Sequence, residues 1–124
     1  MTDREYLELA AKAAGVEVWF PRMADGNGGV IEPCHTTRNG ETQVWNPLTD
    51  DGAALRLAVR LGLHARQFPI IDDDFDAPLG MVEVWRVDGD DPMHVEFLRS
   101  GDDRLVATRR AIVRAAAEIG RSMK

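Results

Sequence analysis

A chain of 124 residues in which 44% of side chains are apolar has the size and composition of one folded domain, residues 1–124, and not of a disordered tail. A net charge of −6 argues against direct nucleic-acid binding, which generally needs a basic patch. Cys34 is the only cysteine, which excludes an intramolecular disulfide and a thiolate metal cluster.

The first helix is expected to open at Thr2, where Thr2 and Glu5 match a T-x-x-E capping box, and to close at Gly15. Tyr6, Leu9, Ala10 and Ala13 recur at helical spacing and form its predicted apolar stripe. "VEVWF" (16–20) then alternates with a period of two, so it reads as a strand with Val16, Val18 and Phe20 on one face. "VEVW" recurs at 82–85 and "HVEF" at 94–97, but the flanking residues differ, so this is shared strand chemistry and not an internal repeat. From Pro21 to Thr42 the composition turns loop-like, with a short strand expected at "GVIE" (29–32) and a hairpin turn at "RNGE" (38–41). "TQVW" follows as a strand.

"WNPLTDDGAALRLAVRLGL" (45–63) holds a complete helix signature. Pro47 marks a turn, Thr49 is the expected N-cap, and Asp50 and Asp51 fall in the first turn, where the helix dipole favours negative charge. Leu55, Ala58 and Leu61 form the predicted buried stripe, with Arg56 and Arg60 toward solvent and Gly62 as the stop. "HARQFPII" reads as an edge or irregular strand because of Pro69, "DDDFDAP" as an acidic loop, and "LGMVEVWRV" with "MHVEFLR" as a hairpin across "DGDDP". Asp102 or Asp103 is expected to cap a last helix with Leu105, Ile112, Ala116, Ile119 and Met123 on its core face and Arg110, Arg114, Glu118 and Arg121 opposite.

Hairpin-linked strands with large apolar residues on both faces, alternating with three amphipathic helices, predict an α+β fold. The expected arrangement is an α-β-α sandwich with a mainly antiparallel sheet of about four strands and three helices. The 45–63 block, together with "YLELAAKAAG" near the N-terminus and "ATRRAIVRAAAEIGRSM" near the C-terminus, resembles the phage ABA sandwich domain family, small proteins of tailed bacteriophages and prophages. The resemblance implies the same α–β–α sandwich and a phage or prophage origin. It implies no reaction and carries over no catalytic residue.

The residues themselves offer little chemistry. Cys34, His35, His64 and His94 are available ligands, but adjacent Cys34 and His35 face opposite ways on an extended segment, and no H-x-x-x-H or C-x-x-C spacing exists. "DDDFDAPLG" lacks the D-x-D-x-D-G spacing and closing Glu of a calcium loop. Ser100 and Ser122 lie outside any G-x-S-x-G setting, and "DGNGG" lacks the lysine of a P-loop. No catalytic residue, metal site or cofactor is therefore expected, and the chain reads as a non-enzyme. Arg109, at the margin of the last helix's apolar stripe, is expected to pack its stem and send its head to water; the alternative is a pair with Glu17 or Glu83, or an anionic ligand.

Charge distribution carries the functional expectation. Residues 70–91 hold eight acids against Arg86 alone, net −7, whereas residues 92–124 sum to +3. An acidic surface at Asp72, Asp73, Asp74, Asp76, Asp90 and Asp91 is suited to imitate nucleic-acid phosphates and block a host nucleic-acid-binding or defence protein. The expected role is thus a phage accessory protein binding a host protein. One alternative is an oligomer that binds a nucleotide-like signal through Arg66, Arg109, Trp19 and Trp85; another is weak metal-dependent hydrolysis. The N-terminus lacks the apolar core of a signal peptide, and no apolar run reaches the roughly 18 residues of a membrane span, so the host cytoplasm is the expected location, without membrane association.

Overall fold

Thr2 opens helix α1 (Asp3–Ala14) in the computed structural model, which describes residues 2–20, 33–36, 39–69, 80–99 and 101–123. The capping box is complete: the Thr2 hydroxyl accepts from Glu5 N at 3.2 Å, and the Glu5 carboxylate accepts from Thr2 N at 3.1 Å. Leu7, Ala10, Ala11 and Ala14 form the buried stripe, an i, i+3, i+4, i+7 pattern; of the predicted stripe only Ala10 is fully buried. The stripe is set by alanines because α1 packs mainly on another helix, where small side chains allow close approach.

After Gly15 the chain runs back beside α1. Val16, Val18 and Phe20 are half-buried while Glu17 and Trp19 are exposed, so the alternation survives. Among the described residues pairing does not extend along the segment: Trp19 alone bridges to Cys34, with N–H···O bonds of 2.9 and 2.8 Å. Strands β1 (Cys34–Thr36) and β2 (Thr42–Val44) form a two-stranded antiparallel sheet with Cys34 opposite Val44 and Thr36 opposite Thr42. This places a strand at 34–36, where the sequence reads as loop, because Cys34 bonds to Trp19 on one side and pairs with Val44 on the other. The "GVIE" strand lies outside the described residues.

Helix α2 (Asp51–Leu61) follows, ended by Gly62 at φ 66°, a left-handed conformation that glycine adopts without Cβ strain. Strand β3 (Leu63–Pro69) begins at the next residue and pairs antiparallel with β4 (Gly80–Arg86), which pairs antiparallel with β5 (Pro92–Leu98). The hairpin across 87–91 is where the sequence places it, and β3 is an edge strand, as Pro69 implies. Helix α3 (Arg104–Ser122) closes the fold, capped by Asp103, whose carboxylate accepts from Leu105 N at 2.8 Å.

The fold is mixed α+β with antiparallel pairing, and the described residues form three helices and five strands in two sheets, where about four strands in one sheet were expected. Val82 and Val84 of β4, Leu63 of β3 and Leu98 of β5 form one buried sheet face, and they share a single core with Ala107, Ala111, Ile112, Val113, Ala115 and Ala116 of α3, which packs over that face. On its far side α3 receives α1, and α2 packs beside it along the β3 edge. Burial on several sides explains why α3 hides eight residues, mostly alanines, while Leu105 and Met123 of its predicted core face are exposed. Coverage of both sheet faces by helices therefore holds for one face among the described residues. The other face bears Arg66, Met81, Glu83, Trp85 and Phe97.

The tightest contact is at Gly120. A Cβ built there would run into the Leu9 carbonyl oxygen, so only glycine lets the last turns of α3 cross α1 this closely.

Candidate functional site

The acidic pair of "TDDG" is part of the scaffold. Asn46 is buried; its Oδ1 accepts from Leu48 N at 3.1 Å and its carbonyl accepts from Asp50 N at 3.0 Å, making the turn that delivers the chain to α2. The N-cap is Asp50, not Thr49: the Asp50 carboxylate accepts from Gly52 N at 3.0 Å, while the Thr49 hydroxyl donates toward the Asn46 carbonyl. Asp51 is engaged across the fold, with Arg109 Nη1 at 2.6 Å from its Oδ1.

Arg109 does not send its head to water. Its side chain is 15% exposed; Nε donates to the Leu48 carbonyl at 2.8 Å and Nη1 to Asp51, so one guanidinium ties the 46–51 turn to α3. Neither Glu17 nor Glu83 is its partner. Glu83 instead accepts from the indole N–H of Trp85 at 2.9 Å.

Arg66 and Trp85 of the ligand reading do come together: the Arg66 guanidinium lies 5.8 Å from the Trp85 ring centre and 5.3 Å from that of Phe68. Trp19 and Arg109 lie elsewhere, Trp19 in the cleft beside α1 and Arg109 in the groove between α2, β3 and α3. The four do not line one cavity among those formed by the described residues.

Of the six aspartates, Asp72, Asp73, Asp74 and Asp76 lie outside the described residues. Asp90 and Asp91 are exposed on the segment joining β4 to β5, with Asp88 beside them. None of the three forms an ion pair among the described residues. That hairpin tip is a concentrated negative charge held at a defined place by two paired strands.

One charged cluster escaped the sequence reading. Glu96 on β5 is 8% exposed and faces α3. Its carboxylate receives Arg114 Nη1 at 2.6 Å and His94 Nε2 at 2.7 Å, with Arg110 Nη1 at 3.7 Å. The Arg114 guanidinium also stands 5.2 Å from the Tyr6 ring centre, joining α1, α3 and β5. A buried carboxylate needs such partners, and here they fix the sheet's outer strand to the helices. Arg110 and Arg114 thus lie over β5, not opposite the core. Two signals pointed to it: the two-residue period that puts His94 and Glu96 on one strand face, and the i, i+4 spacing of the arginines.

No protein-family model, curated protein or solved structure matches this chain. Among the described residues no three His, Cys, Asp or Glu side chains gather as metal ligands, and no helix is long and apolar enough to cross a membrane.

Proposed function

We propose that this chain is a phage or prophage accessory protein, a binding protein and not an enzyme. It acts in the host cytoplasm by docking an acidic surface on a host protein that normally binds nucleic acid. The observation that carries the reading is the exposed aspartate tip between β4 and β5, which continues a stretch of net charge −7 across residues 70–91. Carboxylates presented in close order offer a basic groove the charge it otherwise receives from phosphates. Long-range attraction of this kind sets association rate and partner choice, and salt weakens it.

The test is affinity capture from a bacterial lysate on the immobilised chain. The wild type is expected to retain a basic nucleic-acid-binding protein that elutes as salt is raised. A variant with Asp72, Asp73, Asp74, Asp76, Asp90 and Asp91 all changed to Asn is expected to retain little of it. Undiminished retention by that variant would refute the reading.

A further inference from the structure

We infer that Arg110 and Arg114, one turn apart on α3, form a binding site for a phosphate group, with Glu96 holding them from beneath. Two guanidinium cations stand at a single carboxylate, so the cluster keeps a positive charge in excess before His94 is counted. Glu96 spends that carboxylate unevenly. Its Oε1 accepts from Arg114 Nη1 at 2.6 Å and meets His94 Nε2 at 2.7 Å, whereas Arg110 Nη1 lies 3.7 Å from Oε2. At that distance Arg110 feels the charge of the carboxylate without a hydrogen bond to it.

Fixing β5 to α3 accounts for Arg114 and His94 but leaves Arg110 over. The two arginines are four residues apart on one helix, where like charges repel and weaken the helix slightly. Arg110 makes no hydrogen bond to any described residue, and Arg114 spends only Nη1. Among the described residues every buried polar side-chain atom has a partner, so the remaining N–H groups of both arginines open to water. Exposure rises outward through the cluster, from 10% for the Glu96 side chain to 33% for Arg114 and 43% for Arg110. The cluster is a charge anchored inside the fold with its donors facing out.

The anchoring comes from two other elements. Glu96 of β5 fixes Arg114, and Tyr6 of α1 places its ring 5.2 Å from the same guanidinium. A planar fork braced in this way loses little freedom when it takes a ligand. Two such forks match the several oxygens and near-double charge of a phosphate better than the two oxygens of a carboxylate. Neither arginine belongs to the aspartate tip, so the inference stands apart from the proposed function.

Thermal unfolding of the full chain in inorganic phosphate, in adenosine monophosphate and in sodium chloride at matched ionic strength tests it. The wild-type midpoint is expected to rise with either phosphate compound, beyond the chloride value and toward saturation. A larger rise with adenosine monophosphate identifies a phosphate carried on a larger molecule, and an equal rise identifies the free ion. Arg110→Gln removes no hydrogen bond from the fold, and circular dichroism checks that it folds. That variant should bind phosphate at least about tenfold more weakly, measured by phosphorus NMR line broadening, and lose the extra rise. General salting effects of phosphate would stabilise both proteins alike. Arg56→Gln removes the same charge from exposed α2 and should leave the response intact. A wild type raised no further by the phosphate compounds than by chloride overturns the proposal, as does an undiminished rise in Arg110→Gln.

Discussion

Arg109 shows how one side chain can join distant parts of a small fold. It reaches from α3 to the Leu48 carbonyl and to Asp51, so its bonds hold the start of α2 against the last helix. A hydrogen bond to a charged group contributes about 1.5–3 kcal/mol, and Arg109 is too enclosed for water to replace both partners freely. Arg109→Ala is therefore expected to lower unfolding free energy in urea by about 1.5–3 kcal/mol. Asp51→Asn should cost within about 1 kcal/mol, because that carboxylate is 64% exposed and its ion pair is screened. Equal losses in the two variants would contradict the role given to the Leu48 carbonyl. The sequence marks Asp50 and Asp51 as a helix start but points to Thr49 as the cap, where Asp50 caps instead. Thr49 and Asp50 are both good caps, and the choice falls to the Asn46 turn, which consumes Thr49. Arg109's partners lie about sixty positions away, beyond any local pattern.

Among the elements, the α1–α3 crossing governs the architecture. Ala10, Ala11 and Ala14 of α1 are buried beside an α3 whose own buried residues are mostly alanines, and Gly120 permits the close approach to Leu9. Gly120→Ala places a methyl group into the Leu9 carbonyl, and the helices have to shift. The expected cost is about 1–3 kcal/mol or more, read as a lowered midpoint in thermal unfolding, although alanine is the better helix former. A stabilised Gly120→Ala variant would refute the crossing. Helix starts and stops were legible in the sequence because caps are local: Thr2, Gly15, Gly62 and Asp103 all act as read. Buried faces were less so. The pattern gives weight to large residues such as Leu55 and Leu105, whereas a close helix crossing selects alanine and glycine and leaves those leucines outside. Strand alternation was read correctly for 82–85 and 94–97, but pairing of 16–20 depended on what stood beside it, and among the described residues only Trp19 meets a partner strand.

For the molecule as a whole, helices and sheet share one core while charge divides along the chain, acidic over 70–91 and positive after it. Part of that positive charge is internal: Arg114 and Arg110 neutralise Glu96. The aspartates at 88, 90 and 91 have no such counterpart among the described residues, which leaves their field directed outward. Composition made this asymmetry visible; only pairing of β4 with β5 places its end at a hairpin tip. Competition with DNA probes the aspartate surface most directly. The immobilised chain is loaded with the bacterial lysate fraction that binds DNA-cellulose, then washed with duplex DNA at constant ionic strength. If the aspartate surface occupies a nucleic-acid site, duplex DNA releases the captured protein, and the six-aspartate variant never captures it. Capture that persists under excess duplex DNA would contradict nucleic-acid mimicry by these aspartates.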